Sequence, residues 1–459
     1  MSYSTIARWG TTLLILVLLF GPSIVQIGEF FDGVTYAGIA RQLSLGMGNL
    51  WAPSYSPFLS PEFFGHLPVW LGWHSVFFRV LGDHWWVDGV FQMVNLALTL
   101  GAMYWLWREV WESQPSRSRP NFQVVIWLWL TVPIVLWTYR NNLLEVGVNV
   151  FALVAVAASF RAVRGQSKLS LMVWSAMAAL MTLGAMESKG VVGLFPLATG
   201  AVFFIFHDKG RGRATVFLVL TMCFFVVFLG AMFWIVPETL VNVKQHLQIQ
   251  LFPALEGELD ITTGWRGKIL FEGLLHLLPV VFLTACWAWR RPFVWTRKQK
   301  QIFWSLVGIG LLASLPLCIS FKQRTFYLIP SMPYFVMAAS VFWSNLEPFK
   351  RISKKAFTRL RWGWWAGMVA ALMFLGSIFG NISRDKAKWE IAIQAANEFE
   401  PGTVFFVSTE MVNDYALIAC FVRTGSMYIS DHPSESMTHE IRAIQVDQTT
   451  RYVISPLSE

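Results

Sequence analysis

What most constrains this chain is the repetition of apolar runs long enough to cross a bilayer. A window of about 19 residues finds about eleven of them, near 10–28, 87–107, 122–138, 143–161, 170–187, 190–206, 214–234, 272–289, 302–320, 325–344 and 363–381. Of the 459 residues 55% are hydrophobic and 14% charged, against roughly 25% charged in a soluble domain, so one aqueous core cannot hide this much apolar surface. The expectation is a polytopic α-helical membrane protein. Arg8 precedes the first run, no small-residue cleavage motif follows it, and it leads into an aromatic helix, so it reads as a retained anchor. Cys223, Cys286, Cys318 and Cys420 show no paired spacing, which suggests neither a disulfide framework nor a zinc site.

Basic residues fix the expected orientation. The stretches "REVWESQPSRSRP", "RAVRGQSK", "HDKGRGR", "RRPFVWTRKQKQ" and "KRISKKAFTRLR" fall on alternate connections, on the side of Arg8. Positive loops stay in the cytoplasm, so the N-terminus is expected inside a bacterial cytoplasmic (inner) membrane, with the C-terminus in the periplasm or outside. The net charge of +9 is then a topology signal, and nucleic acid is not expected as a partner. Three segments face out: a first loop of 29–86, a second of 235–271 and a tail of 383–459. In the first loop, Phe31, Tyr36, Ile39, Ala40 and Leu43 recur at helical spacing. "HLPVWLGWHSVFFRVLG" offers a second helix that carries both His66 and His74 and has Pro68 in its first turn. Both read as aromatic helices lying in the membrane interface.

The tail has a different pattern. "AKWEIAIQAANEF", "MVNDYALIACFVRT" and "MTHEIRAIQV" read as helices, and "GTVFFVST", "SMYISD" and "RYVISP" as strands. The expected division is therefore a membrane domain over 1–382 and a small extracytoplasmic α/β domain over 383–459.

Charges at the outer membrane boundary are costly there and need a reason. Asp32 sits in "GEFFDGVTYAGIARQL", Arg140 and Glu145 in "YRNNLLEVG", Glu187 and Lys189 in "AMESKGVVG", and Lys322 and Arg324 in "SFKQRTFYLIPSMP". Acids and bases brought to one depth by four separate connections favour a shared polar site over scattered loop charges.

The order "FDGVTYAGIARQL", "GHLPVWLGWHSVFFRVLG", "RNNLLE", "ESKGVVGLFP", "RTFYLIPSMPYF" resembles the polyprenyl-phosphate-sugar-dependent GT-C glycosyltransferases. It is most similar to the branch holding the aminoarabinose transferases of lipid A and the protein O-mannosyltransferases. The family's first-loop motif, Asp-Glu followed by a basic residue and Tyr, falls on Asp32, Gly33, Thr35 and Tyr36, where the Asp and the Tyr match. Its second acid falls on Glu145 after Arg140, its Lys-Pro on His66 and Pro68, its Lys-Gly-Pro on Lys189 and Gly190, and its Arg-Tyr-Leu-Leu-Pro on Arg324 to Pro330.

The resemblance implies transfer of a sugar from a polyprenyl-phosphate donor to a membrane lipid, envelope glycan or protein acceptor. Negative charge grows on the leaving phosphate, so cations must gather around it, and Lys189, Arg324, His66 and Arg140 are the expected donor-phosphate ligands. The acceptor must lose a proton as it attacks. Asp32 is the expected general base and Glu145 the second catalytic acid, which orients the acceptor or shares a divalent cation (Mg or Mn) with Asp32. Tyr36 and Tyr327 are expected to meet the acceptor or substrate. Lys244, His246 and Arg266 in the second loop receive no firm role. A secondary transporter is the main alternative, but its inverted repeats and mid-membrane helix breaks are not visible. A non-catalytic scaffold would leave Asp32, Glu145 and Lys189 without a purpose.

Overall fold

The computed structural model of the chain describes residues 3–457 except 116–118, 208–209, 260–261, 291–293, 345, 347–351, 434–436 and 447–448. Parts of four of the basic connections that set the expected orientation therefore lie outside the described residues. Eight helices among the described residues are long and apolar enough to cross a membrane, and a ninth span results if the pair Phe122–Leu130 and Pro133–Tyr139, bent by 84°, is counted as one. The chain is a multi-pass membrane protein with fewer such spans than the eleven expected, because 170–187 and 190–206 fall within one apolar stretch and 363–381 falls on the helix Lys354–Ser377, which is not among them. The 39-residue stretch Lys168–Phe206 carries two of the expected runs. It is broken where Lys168–Lys189 gives way to the 3-10 segment Gly190–Ala198. Gly190 has φ +74°, and a Cβ there would stand 2.7 Å from Nε2 of His246, so only glycine fits the break.

The chain divides into two compact units. The first comprises Met1–Gly21, Val94–Tyr139 and Leu144–Phe374, and the second Pro22–Met93, Arg140–Leu143 and Leu375–Glu459. The first unit is the helical membrane body. Many of its apolar side chains are exposed, among them Trp234, Val226 and Phe282, as expected of a surface solvated by acyl chains. Glu109, buried within it, accepts from both Arg161 and Arg164.

The second unit is built on the helix Phe31–Ser44. Apart from Thr35, all its residues from Gly33 to Leu43 are buried, so it is the centre of a packed unit and not a helix lying in an interface. It packs against the helices Val69–Leu81 and Tyr415–Gly425. Gly38 makes room for the latter, since a Cβ there would meet Val422 Cγ1 at 3.1 Å. The sequence pattern missed this because "GVTYAGIARQL" has small and polar residues on the face that receives the C-terminal helix. The helix Val69–Leu81 keeps the amphipathic character expected of it, with Trp70, Leu71 and Phe78 buried and Trp73, Val76 and Val80 exposed.

The C-terminal segment contributes the helix Lys386–Glu398 and a four-stranded sheet. Its strands are β1 (Val404–Phe406), β2 (Tyr428–Ser430), β3 (His439–Val446) and β4 (Thr449–Pro456), in the order β2-β1-β3-β4. The pairs β1–β2 and β1–β3 are parallel and β3–β4 is antiparallel. Five of the six tail elements match expectation, and "MTHEIRAIQV" does not: it is the strand β3. Its alternation of His439, Ile441, Ala443 and Gln445 with Glu440, Arg442, Ile444 and Val446 has period two. Pairing along its whole length, from His439 opposite Pro456 to Val446 opposite Thr449, outweighs the helical spacing of Met437, Ile441 and Ile444.

Candidate active site

In the first unit the site grows from two helix ends. Glu145 opens the helix Glu145–Arg164, and Lys189 closes the helix Lys168–Lys189. A carboxylate suits an N-terminus and an ammonium a C-terminus. The Lys189 ammonium donates to Glu145 Oε1, with the two side chains 9% and 2% exposed. Two rings from the 3-10 segment Thr325–Ser331 cover the same ammonium, Tyr327 with its centroid 4.5 Å and Phe326 with its centroid 5.4 Å from Nζ. A desolvated cation over aromatic faces gains about 2 kcal/mol, and a buried pair that lost either member would be costly. The His246 imidazole lies against Gly190, the next residue. The second loop thus reaches this site through the helix Glu238–His246, which sequence reading left without a role. Arg324, half-buried, immediately precedes the 3-10 segment that carries Tyr327. Glu187 is 2% exposed, and neither of its carboxylate oxygens has a hydrogen-bond partner.

In the second unit the site is the N-terminal end of the helix Phe31–Ser44. Asp32 lies in its first turn, where the helix dipole favours an acid. Phe30 supplies no side-chain cap; instead its N–H donates to Asn141 Oδ1 at 2.6 Å. Gly33 is required by this contact, because a Cβ would fall 2.0 Å from the Asn141 carbonyl oxygen. One turn further on, the buried Tyr36 hydroxyl lies 3.0 Å from His66 Nε2, the rings meeting edge to face at 5.3 Å. His66 stands in the turn before the helix Val69–Leu81, whose N-cap is Pro68. It does not share a helix with His74 as the sequence suggested, because the helix starts after the proline. Arg140 is half-buried in the turn beside the two asparagines, and burial lowers its pKa from the ordinary arginine value.

A set of charges that sequence reading passed over holds the rest of this unit. Arg41 donates to Asp83 Oδ2 (2.7 Å) and Ser426 Oγ (2.6 Å). Arg423 donates to Asp88 Oδ2 (2.8 Å) and the His84 carbonyl (2.9 Å), and Asp88 Oδ1 is 3.0 Å from His74 Nε2. Burial pushes the His74 pKa down despite its carboxylate neighbour. Two arginines inside apolar helices and two aspartates in "GDHWWVDG" were the signal available, since buried charges need partners.

The donor set was also tested for a divalent cation. Among the described residues no group of three or more His, Cys, Asp or Glu side chains could hold a metal ion. The cation position on Glu145 is taken by the Lys189 ammonium, so a Mg or Mn ion on Glu145 does not fit this arrangement.

No protein-family model matches the sequence, and no curated protein matches it. Solved structures do. The chain is similar to ArnT from Cupriavidus metallidurans in the apo state, with 15% identity, 91% of this chain and 85% of that one covered, and a TM-score of 0.61. It is equally similar to the same protein bound to undecaprenyl phosphate, with 14% identity, the same coverage and a TM-score of 0.61. A third likeness, to the archaeal oligosaccharyltransferase AglB from Archaeoglobus fulgidus in complex with an inhibitory peptide and a dolichol-phosphate, covers 92% of this chain and 64% of that one. Its identity is 12% and its TM-score 0.46, too low to carry an argument. The chain has the GT-C membrane fold that its motif order led us to expect.

Proposed function

We propose that this protein is an integral-membrane glycosyltransferase that moves a sugar from a polyprenyl-phosphate donor to an acceptor on the non-cytoplasmic side of a bacterial inner membrane. The observation that carries the reading is the buried Lys189 ammonium, held by Glu145 and covered by Tyr327, in a chain whose fold is similar to a structure solved with undecaprenyl phosphate. A cation kept dry and pre-placed by a carboxylate and two rings costs little reorganisation when a phosphate ester meets it. Lys189 and Arg324 take the donor phosphate, with His66 and Arg140 as further cations. As the bond from the anomeric carbon to the phosphate oxygen breaks, its electron pair stays on the phosphate and the charge is met by these groups. Asp32 accepts the proton of the attacking acceptor group. Tyr36 and Tyr327 contact the substrates, and Glu145 orients Lys189. The C-terminal segment 383–459 lies outside the cytoplasm.

The test is transfer of a radiolabelled sugar from polyprenyl phosphate to envelope acceptors by the purified protein in lipid nanodiscs. Wild type transfers label, Asp32→Asn loses at least about 100-fold while still binding polyprenyl phosphate, and Lys189→Met loses that binding. Uptake of solute into sealed vesicles in the absence of any transfer would make the protein a transporter instead.

A further inference from the structure

Asp32 is bracketed by two successive asparagines of a single turn. Asn141 Oδ1 takes the N–H of Phe30 at 2.6 Å, and Asn142 Nδ2 donates to the carbonyl of Gly33 at 3.2 Å. The first bond satisfies an orphan donor at a helix start and needs no further explanation. The second is different. A carbonyl in the first turn of a helix already has the N–H four residues on as its partner, so the Asn142 bond satisfies nothing the helix left open. What it does is tie the Gly33–Val34 peptide, one residue beyond Asp32, to the asparagine turn.

Asn142 is itself held. It is 4% exposed and sits in the left-handed region at φ +51°, and its Nδ2 also lies 3.4 Å from His74 Nδ1. Nδ1 can accept only if the ring proton is on Nε2, and Nε2 lies 3.0 Å from Asp88 Oδ1, an ion contact without hydrogen-bond geometry. Asp88 Oδ2 in turn receives Arg423 Nε at 2.8 Å. The negative charge beside Nε2 favours the tautomer that carries the proton there. The imidazole is clamped as well, stacked on Phe91 with centroids 3.9 Å apart and planes 13° apart.

We propose that Arg423, Asp88, His74 and Asn142 form a positioning relay that sets the Asp32 carboxylate, with Asn142 and His74 as its positioning residues. The inference rests on Asp32 being the base of the proposed transfer. It assigns the C-terminal segment a purpose: Arg423 anchors the far end of the relay. Misplacing a reacting group by about 1 Å costs up to about 100-fold in rate without weakening substrate binding, so the relay acts on kcat.

Three substitutions separate this role from a merely structural one. Asn142→Gly keeps the left-handed backbone, which glycine adopts freely, and deletes both amide bonds. Asn142→Asp keeps the shape but turns the donor into an acceptor facing the Gly33 carbonyl. His74→Phe keeps the stack on Phe91 and removes the ring's hydrogen bond to Asn142 and its ion contact with Asp88. In nanodiscs, Asn142→Gly and His74→Phe are each expected to lower kcat about tenfold with KM for the polyprenyl-phosphate sugar within about twofold, and Asn142→Asp to lower it more. Combining His74→Phe with Asn142→Gly adds nothing further, because both break one chain. Unchanged kcat in both single variants, or independent additive losses, overturns the proposal. Hydrogen exchange of the amides of 31–37 reads the relay without any transfer assay. It speeds up in Asn142→Gly and in His74→Phe if the relay holds this turn, and matches wild type if it does not. If the wild-type protein transfers no sugar, the functional reading fails, and this exchange measurement still decides the relay.

Discussion

The sites of the two units bury charge by different means. At the first unit's candidate site the Lys189 ammonium meets the Glu145 carboxylate directly under two rings, although Glu109 elsewhere in that unit holds two arginines, and the surrounding body exposes hydrocarbon freely: only 17% of an 18-residue window of the Arg211–Ile235 span is buried inside the protein. In the second unit no single contact carries the burden. Asp83 meets both Arg41 and Arg423, and Asp88 meets both Arg423 and His74. A direct buried pair loses most when one member is removed, whereas a network keeps a second partner for each carboxylate. The pair suits a group that must present one charge to a ligand, and the network suits a frame that must hold a helix still.

The largest effect should fall on the pair. Lys189→Met deprives a carboxylate that is 1% exposed of its ammonium and should destabilise the protein by about 3–5 kcal/mol, read as a fall in the denaturation midpoint in detergent. Next comes the network. Arg423→Met leaves Asp83 with Arg41 and Asp88 with His74, so the loss should be smaller, about 1.5–3 kcal/mol. If Arg423→Met costs more than Lys189→Met, the contrast between pair and network is wrong.

The smallest effect is a pH dependence of the second unit. Burial, and then the Asp88 charge, raise the Glu29 pKa well above its ordinary 4.5. Above pH 4.5 the folded state therefore binds more protons at Glu29 than the unfolded state does. Its contribution to stability is full below 4.5 and is lost as pH rises through the raised folded value. Glu29→Gln should remove that loss, so the melting temperature of this variant, measured relative to wild type, should climb as pH increases. A difference that stays flat with pH would mean Glu29 titrates alike in both states.

Expectation and structure part in instructive places. "SMYISD" and "RYVISP" could be read as strands because their apolar residues and turn signals are local. "MTHEIRAIQV" could not, because partner pairing decided between two periods that its residues allow. The Lys189 site was visible piece by piece, each charge being out of place in an apolar run. What sequence reading missed was the second-unit network of Arg41, Asp83, Asp88 and Arg423, whose partners lie far apart along the chain, Asp88 and Arg423 by 335 positions and Arg41 and Ser426 by 385.

By itself, then, the sequence determined the membrane class, where most of the apolar helices lie and the residues whose charge needed a reason, because hydrophobic burial and helical periodicity act over about twenty residues. Tertiary structure alone decided which partner each buried charge took. It also made the first-loop helix the buried centre of a unit shared with the C-terminal segment. A charge encodes that it must be paired but not with whom, and only packing brings the partner within the three ångströms or so at which a hydrogen bond forms.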